Sequence, residues 1–463
     1  MLHSLRNSYG FDLLSAPRSQ PVSPISLITL VPLQSLGDGN GSLFPAHPLK
    51  NAKLLEVWHN TVLPSFASTP HRYEGLTSMH LFRQGRTEEE SVPTIFVSTK
   101  NETSKKVLRE TISAFFDPTL KSNLRISFEQ SSLRRSLNSQ LPPICKPRNT
   151  SFQVYPSGGA SIGIQHRVDS TATLGGYLTI DGRTHILTVD HIVPGDMVTT
   201  PPISITHASE QESQETVQWA NVKNHLKVLK DCCWSCRGLW ESHCNDADFY
   251  KPVTREYRCS KAREFQRLKR ALFDTHPCQT LGSIRDRSQT SSRPSVQGGG
   301  QYMVEMDWAL VTIEQWPHHL DAHIRRSTKG LYFSKIIPEA RVKATGRTSG
   351  TQIGLINTAM SIASHGIRFT QEWSLFKDPQ ASLQDWIEGG IGVDGDSGAW
   401  IIDQDTNALY GMAWARDRIE TEPICLFSPI EDIVADIKEI TGAEVVCLPP
   451  LEGMPIVSEE DDQ

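Results

Sequence analysis

From about Ser161 onward the chain consists largely of short β-rich runs separated by turn signals, and this pattern constrains the fold most. Gly176–Asp181 and Thr184–Val189 are joined through Gly182, which suits a tight hairpin with glycine at positive φ. Further strands are predicted over Asp307–Ile313, Ala399–Asp403, Leu409–Trp414 and Pro423–Phe427. Many short strands with turns between them predict a β-barrel or a β-sandwich.

A helix is predicted to close this β-rich region. Ser428-Pro429-Ile430-Glu431 has the form of a capping box with proline at the first helical position. An apolar stripe follows, and Gly442 is placed to end the helix. The stripe comprises Ile430, Ile433, Val434, Ile437 and Ile440.

Three local sequences carry the side chains that acyl transfer requires. His191 ends a predicted strand in LTVDH, Asp307 opens one in MDWAL, and Ser397 precedes one in GDSGAW. This chemistry uses a hydroxyl nucleophile, an imidazole that accepts and returns its proton, and a buried carboxylate that orients the imidazole. The order His, Asp, Ser along the chain is one of the orders in which such triads occur. The three residues are therefore predicted to form a catalytic triad.

These motifs resemble those of the chymotrypsin-like (trypsin-like) serine peptidases, over residues 158–447. GDSG matches the nucleophile loop of that family, TVDH its histidine motif and DWAL its acid strand, although Asp190 stands where a small residue is common. The spacing from Asp307 to Ser397 suits the family, whereas the spacing from His191 to Asp307 is longer. The resemblance is closest to intracellular trypsin-like proteins of filamentous fungi. It implies a mainly β fold with a double six-stranded β-barrel and a C-terminal helix.

The resemblance also implies a role for each site residue. Ser397 is the nucleophile, His191 the general base and acid, and Asp307 the residue that orients His191. The backbone N–H groups of Gly395 and Ser397 form the oxyanion hole. Asp396 matches a residue that pairs with a newly cut N-terminus in secreted relatives. We see no such cleavage site here, so Asp396 pairs internally or its loop needs a partner.

Only a few residues of the sequence indicate a substrate preference. Ile391, six residues before the nucleophile, lines the base of the primary pocket if the loop has the family length. Ala413, Trp414 and Ala415 resemble the strand that walls that pocket and binds substrate backbone. These residues favour an apolar pocket, and the alternative is that Ile391 and Trp414 belong to the core.

Asp248 is a weaker rival for the acid of the triad, because no strand pattern follows it.

An insertion of different composition is predicted at about 203–300. Residues 223–293 contain 15 Lys or Arg and 8 Asp or Glu, and six of the nine cysteines. These cysteines are Cys232, Cys233, Cys236, Cys244, Cys259 and Cys278. With His243 they offer a zinc site, but a second Cys-x-x-Cys pair is missing, so free thiols are the preferred interpretation and no metal is assigned. Ser260–Asp274 reads as a basic amphipathic helix whose polar face is solvated. The alternative is contact with an acidic partner, RNA or an anionic membrane surface.

The N-terminal third divides into three segments. Residues 1–50 are predicted to be a flexible leader and residues 131–157 a proline-containing linker. Between them, residues 51–130 form a small α/β unit. Within it we predict a buried strand over Ser91–Ser98, a helix after Asn101 that ends at Pro118, and a strand over Leu124–Phe128. An acidic tail occupies residues 448–463.

Composition limits the remaining function classes. A net charge of −6 gives no general case for nucleic-acid binding, and no apolar run reaches the ~18 residues of a membrane span. No signal peptide is evident, which predicts a cytoplasmic protein with reduced cysteines. The sequence thus favours a serine endopeptidase without cofactor that acts on peptides or proteins. The alternative is a non-catalytic platform with a protease fold, which meets a regulatory partner through the N-terminal unit or the insertion.

Overall fold

The structure is a computed structural model. It describes residues 42–46, 50–73, 75–100, 104–129, 133–135, 156–165, 167, 170–193, 203–207, 279–289, 291–313, 320–366, 368–419 and 422–449. All of them belong to one compact unit, Gly41–Gln463.

The N-terminal segment is a mixed α/β layer. Its strands are β1 (Ser42–Phe44), β2 (Leu76–Gly85), β3 (Val92–Thr99), β4 (Arg125–Glu129) and β5 (Leu133–Arg135). Its helices are α1 (Ala52–Val57), α2 (Leu63–Ser68), α3 (Ser104–Ala114) and α4 (Pro118–Ser122), and a π-helical turn, Trp58–Val62, joins the first two. The predicted strand–helix–strand order over residues 91–128 is confirmed, because α3 connects β3 to β4 and these two strands pair in parallel.

The first large sheet carries the predicted hairpin. Its strands are β6 (Ser161–Ile164), β7 (Thr171–Thr173), β8 (Gly176–Ile180), β9 (Arg183–Thr188), β10 (Ile203–His207), β11 (Gln279–Arg287), β14 (Ala309–Thr312) and β23 (Val446–Cys447). They follow the order β23-β8-β9-β14-β11-β10-β6-β7. Asp181 and Gly182 both have positive φ in the turn between β8 and β9, which is the two-residue turn that matches the twist of a hairpin.

A short hairpin lies between β11 and β14 along the chain, and a helix follows β14. The hairpin consists of β12 (Ser291–Pro294) and β13 (Met303–Met306), and helix α5 spans Leu320–Ser327.

The second large sheet contains a closed barrel. Its strands are β15 (Tyr332–Phe333), β16 (Arg341–Gly346), β17 (Gly350–Ile356), β18 (Ser361–Ser364), β19 (Phe369–Lys377), β20 (Trp400–Asp403), β21 (Ala408–Asp417) and β22 (Ile424–Pro429), with α6 (Leu383–Gly389) and α7 (Ile430–Thr441) beside them. Six of these strands pair in a ring, in the order β16, β17, β19, β22, β21, β20 and back to β16. The mainly β fold predicted from the sequence is confirmed, and this ring is one of the two six-stranded barrels that were predicted.

The ends of the predicted 203–300 insertion are strands of the first sheet. Strands β10 and β11 pair with each other antiparallel, from Ile203 opposite Ile284 to His207 opposite Gln279. The residues between them, 208–278, lie outside the described residues, as do the clustered cysteines, Asp248 and the predicted basic helix. Both strands were missed from the sequence: β11 lacks a clean alternation of polar and apolar residues, and the alternating run of β10 is only five residues long.

The N-terminal layer extends the second sheet. Ile362 and Ala363 of β18 pair with Met79 and Ser78 of β2. The indole N–H of Trp58 donates to the carbonyl of Met360 at 2.9 Å. Buried side chains from α1, α2, β2 and the barrel form one apolar cluster. This layer and the barrel therefore share a core, and the domain boundaries predicted from the sequence remain predictions.

The C-terminal helix is present, but its predicted capping box is wrong. Ser428 belongs to β22, and its hydroxyl donates to the carbonyl of Glu305 at 2.7 Å instead of capping α7. Pro429 takes the N-cap position without a side-chain hydrogen bond. The predicted stop is confirmed, since Gly442 adopts φ 70° at the C-cap. Ile440, predicted for the apolar stripe, is exposed.

Candidate active site

His191 is placed by the pairing of β9 with β14. It lies in a short 3-10 turn, Asp190–Ile192, directly after β9. Thr188 at the end of β9 is paired with Ala309 at the start of β14, two residues after Asp307. The ends of these two neighbouring strands therefore bring the imidazole and the carboxylate together.

Asp307 holds His191 through both of its carboxylate oxygens. Oδ2 is hydrogen-bonded to Nδ1 of the imidazole, and Oδ1 accepts the backbone N–H of His191 at 2.9 Å. Both residues are buried. Two bonds to one residue fix both the position and the ring orientation of His191, which leaves Nε2 without a hydrogen-bond partner among the described residues. An imidazole held at Nδ1 with Nε2 unoccupied is arranged to act as a base.

Ser397 lies in the turn before β20, and this turn packs against the first sheet. The backbone N–H of Thr173 donates to the carbonyl of Ser397, and the Thr173 hydroxyl donates to the carbonyl of Gly395, each at 2.8 Å. A Cβ added to Gly398 would lie 3.1 Å from Oγ1 of Thr188, three residues before His191. This turn, residues 395–398, is called the nucleophile turn after the predicted role of Ser397, and it is thus seated at the end of β9. The Ser397 hydroxyl itself donates to the carbonyl of Trp414 at 3.1 Å.

The shape of the nucleophile turn depends on two glycines. Gly395 and Gly398 have φ values of 95° and 100°, a region that favours glycine. A Cβ on Gly395 would lie 2.6 Å from Oγ1 of Thr348. The N–H groups of Gly395 and Ser397 donate to no other described residue. Both are therefore available as donors to a substrate oxygen, and their role as an oxyanion hole remains a prediction.

Asp396 is bound internally, one of the two alternatives that the sequence left open. Its Oδ1 accepts the backbone N–H groups of Thr348 and Ser349, at 2.9 and 3.0 Å. These two residues form the turn between β16 and β17. Burial raises the pKa of Asp396 to about 6, against the hydrogen bonds from Ser349 and Thr348 and the positive charge of Arg416, which lower it. No pattern in the sequence indicated that this turn would bind Asp396.

The residues predicted for the substrate pocket are all buried. Ile391 lies in the apolar cluster of the barrel, and its Cδ1 would be 3.3 Å from a Cβ added to Gly354. Ala413, Trp414 and Ala415 lie on β21. The ring of Trp414 is 5.4 Å from the ring of His365. Ile391 therefore has the surroundings of a core residue, and the assignment of a pocket to these four positions remains a prediction.

A second set of histidine, aspartate and serine side chains was missed by sequence reasoning. Nδ1 of His80 lies 2.8 Å from Oγ of Ser361, and Nε2 lies 2.9 Å from Oδ2 of Asp417. Ser78 and Ser98 also donate to that carboxylate oxygen. All five side chains are fully buried, so the set connects β2 and β3 to the barrel and is not open to a substrate. No motif marks it, because its members are scattered along the chain.

The part of the chain that is described contains neither a candidate metal cluster nor a helix that could span a membrane. There, no three His, Cys, Asp or Glu side chains are grouped closely enough to hold a metal ion. None of the helices in those ranges combines the length and apolar character that crossing a membrane needs. The cysteine-rich residues lie outside these ranges, so the zinc hypothesis remains untested.

Comparison with known proteins gives similarity at the level of the fold. No family model and no curated protein matches the chain. Among solved structures, protease A of Thermobifida fusca matches with 10% identity over 60% of this chain and 94% of its own, with a TM-score of 0.27. A glutamic acid-specific serine protease matches with 10% identity over 63% of this chain and 100% of its own, with a TM-score of 0.31. A Cellulomonas bogoriensis chymotrypsin matches with 12% identity over 62% of this chain and 96% of its own, with a TM-score of 0.29. The mainly β character of the fold rests on the strands described above.

Proposed function

We propose that this protein is a serine endopeptidase that cleaves peptide bonds through an acyl-enzyme intermediate. Ser397 attacks the scissile carbonyl carbon, and His191 takes the hydroxyl proton and then gives it to the leaving amine. Asp307 orients His191 and stabilises its charged form. The N–H groups of Gly395 and Ser397 bind the developing oxyanion. Water then hydrolyses the acyl-enzyme, with His191 again as base.

The observation that carries the proposal is the double contact between Asp307 and His191. A buried carboxylate that binds only the ring could serve stability alone. Here the second oxygen also binds the backbone N–H of His191, so the ring is held in one orientation with Nε2 unoccupied. The glycine turn seats Ser397 at the end of the strand that carries this histidine.

Covalent labelling with a small fluorophosphonate tests the proposal directly. We expect labelling of the wild-type protein and none of Ser397→Ala, with a decrease of at least about 10³-fold in rate for His191→Ala, because the hydroxyl then lacks its base. Ser361→Ala is the matched control, since Ser361 contacts the buried His80 and should not affect labelling. Labelling that survives Ser397→Ala would contradict the assignment.

One observation favours a second candidate, a non-catalytic interaction platform. The Ser397 hydroxyl is bonded to the carbonyl of Trp414, and Nε2 of His191 has no partner in the described residues. Catalysis therefore needs the hydroxyl to rotate toward the imidazole. A folded wild-type protein that no fluorophosphonate labels would make the platform the better account.

The finer placement belongs to the same proposal. Resemblance to intracellular trypsin-like proteins of filamentous fungi implies a cytoplasmic location and peptide or protein substrates. A regulatory partner that binds the N-terminal layer or the insertion is consistent with either function.

A further inference from the structure

One edge of β21 connects the nucleophile turn to a segment of the chain itself. Strand β22 covers the other edge of β21, with Ala413 opposite Phe427 and Ala415 opposite Leu426. On the side away from β22, strand β20 pairs with β21 as far as Met412, and the nucleophile turn bonds to the next two residues of β21. Gly398 donates to the carbonyl of Ala413, and Ser397 donates to that of Trp414.

Strand β5 occupies the next positions on that same edge. Arg135 lies opposite Ala415, Arg134 opposite Arg416 and Leu133 opposite Asp417, in antiparallel pairing. Because the pairing is antiparallel, β5 runs toward Ala413 and therefore toward Ser397. Leu133 also packs on the apolar cluster that contains Trp414 and Ala415.

An extended peptide that reaches Ser397 would use this edge. Peptides commonly bind proteins by adding a strand to an exposed sheet edge, with main-chain hydrogen bonds that any sequence can form. Among residues 415–417, beside the nucleophile turn, such a peptide would pair with the main-chain groups that face away from β22. That edge is already paired with β5.

We propose that Leu133–Arg135 is a built-in occupant of the peptide-binding edge of β21 and restricts access of peptides to Ser397. This inference rests on the proposed function, since it takes Ser397 as the nucleophile. The N-terminal layer holds both partners in place. Its β4 ends four residues before Leu133, and its β2 and β3 bind the carboxylate of Asp417.

The occupant is suited to displacement. A strand of three residues forms few main-chain hydrogen bonds, each with a small net contribution of about 1 kcal/mol. Because β5 belongs to the same chain, its effective concentration at this edge is in the millimolar range. This concentration allows even a weakly bound strand to compete with a free peptide. Loosening β5 should therefore raise the affinity of the edge for peptides without any change at Ser397.

The test measures peptide binding without catalysis. In a Ser397→Ala background, the probe is a fluorescein-labelled decapeptide with the sequence of residues 129–138, followed by fluorescence anisotropy. Arg134→Pro removes an N–H and fixes φ near −65°, and Leu133→Ser removes the apolar contact. We expect about tenfold tighter binding for Arg134→Pro and a smaller gain for Leu133→Ser.

A matched control lies on β15, another short strand that pairs with β21. Tyr332 and Phe333 of β15 pair with Ala408 and Leu409 at the far end of β21. Replacing Tyr332, which is exposed, by Gly should leave peptide affinity unchanged. Unchanged affinity in both β5 variants, or failure of the peptide to bind any of the proteins, would overturn the inference.

The two proposals fail separately. Fluorophosphonate labelling reports on the nucleophile and needs no bound peptide, whereas anisotropy reports on the edge and needs no nucleophile. If the wild-type protein is labelled but the β5 variants bind the peptide no more tightly, the proposed function is supported and the role of β5 is refuted. If the protein is not labelled but the β5 variants bind the peptide more tightly, the role of β5 is supported and the role of Ser397 as nucleophile is refuted.

Discussion

Asp396 shows how a single buried carboxyl shapes the nucleophile turn. Its Oδ1 ties the turn to the β16–β17 hairpin, and a Cβ added to Gly346 would lie 2.1 Å from that oxygen. Oδ2 has no partner among the described residues. The group therefore contributes to structure through one oxygen, while burial penalises its charged form.

Asp396 should make stability depend on pH. Its pKa is about 6 in the folded protein against an ordinary value of 3.8, because the folded protein favours the protonated carboxyl. The resulting contribution to the free energy of unfolding is fully present below pH 3.8 and is lost as the pH rises through 6. Asp396→Asn cannot ionise. Its free energy of unfolding relative to wild type should therefore increase from pH 4 to pH 8, by on the order of 3 kcal/mol.

Urea denaturation at both pH values checks this expectation. Asp405→Asn, at an exposed position, is the control and should change stability by less than about 0.5 kcal/mol at either pH. A difference between Asp396→Asn and wild type that is the same at pH 4 and pH 8 would refute the assignment of the penalty to this carboxyl.

At the scale of elements, the junction between the nucleophile turn and β7 depends on a position without a side chain. Gly398 has φ 100°, and a Cβ there would lie 2.2 Å from the carbonyl oxygen of Thr173. That carbonyl also accepts the hydroxyl of Thr188. The close approach of two backbones is what places Ser397 against the sheet that carries His191.

Gly398→Ala should therefore cost more than backbone strain alone. We expect a loss of about 3 kcal/mol or more in the free energy of unfolding, since strain and a steric clash add. Gly182→Ala is the control, because Gly182 has φ 78° but no atom within 4 Å of an added Cβ. Its expected loss in urea denaturation is about 1–2 kcal/mol. Equal losses would show that the close approach is unimportant.

At the scale of the whole molecule, the N-terminal layer and the barrel are joined by a polar network inside a shared core. His80 of β2 binds both Ser361 of β18 and Asp417 of β21. Asp417 is also the residue opposite Leu133 of β5. The same contact that attaches the layer therefore holds the end of the proposed peptide-binding edge.

His80→Ala should destabilise the layer and the barrel together. The substitution removes a hydrogen-bond partner from both Asp417 and Ser361, and leaving a buried polar group unsatisfied costs about 1–3 kcal/mol. The loss should appear as one cooperative transition at lower urea concentration. Ser98→Ala, which removes a longer contact of 3.3 Å, should cost no more than about 1.5 kcal/mol. Far-UV circular dichroism and tryptophan fluorescence should give the same midpoint. Two separate transitions would show that the layer folds independently.

Local patterns in the sequence determined the elements and the candidate residues. The β8–β9 hairpin, the order of β3, α3 and β4, and the helix that ends at Gly442 follow from turn residues and periodicity, which act over a few positions. The three motifs that carry the proposed catalytic residues were likewise readable as short strings. Ser428 shows the limit, because the same string fits a helix cap and a strand end, and only packing against Glu305 selects the strand.

Only the tertiary structure decided which distant residues meet. The contact of Asp307 with His191 depends on the register of β9 against β14, and the binding of Asp396 depends on closure of the barrel. The pairing of β5 with β21 falls in a segment that composition marked as a linker. Contacts of this kind join residues 47 or more positions apart. Their free energy comes from burial and hydrogen bonding between whole elements, for which a local pattern carries no signal.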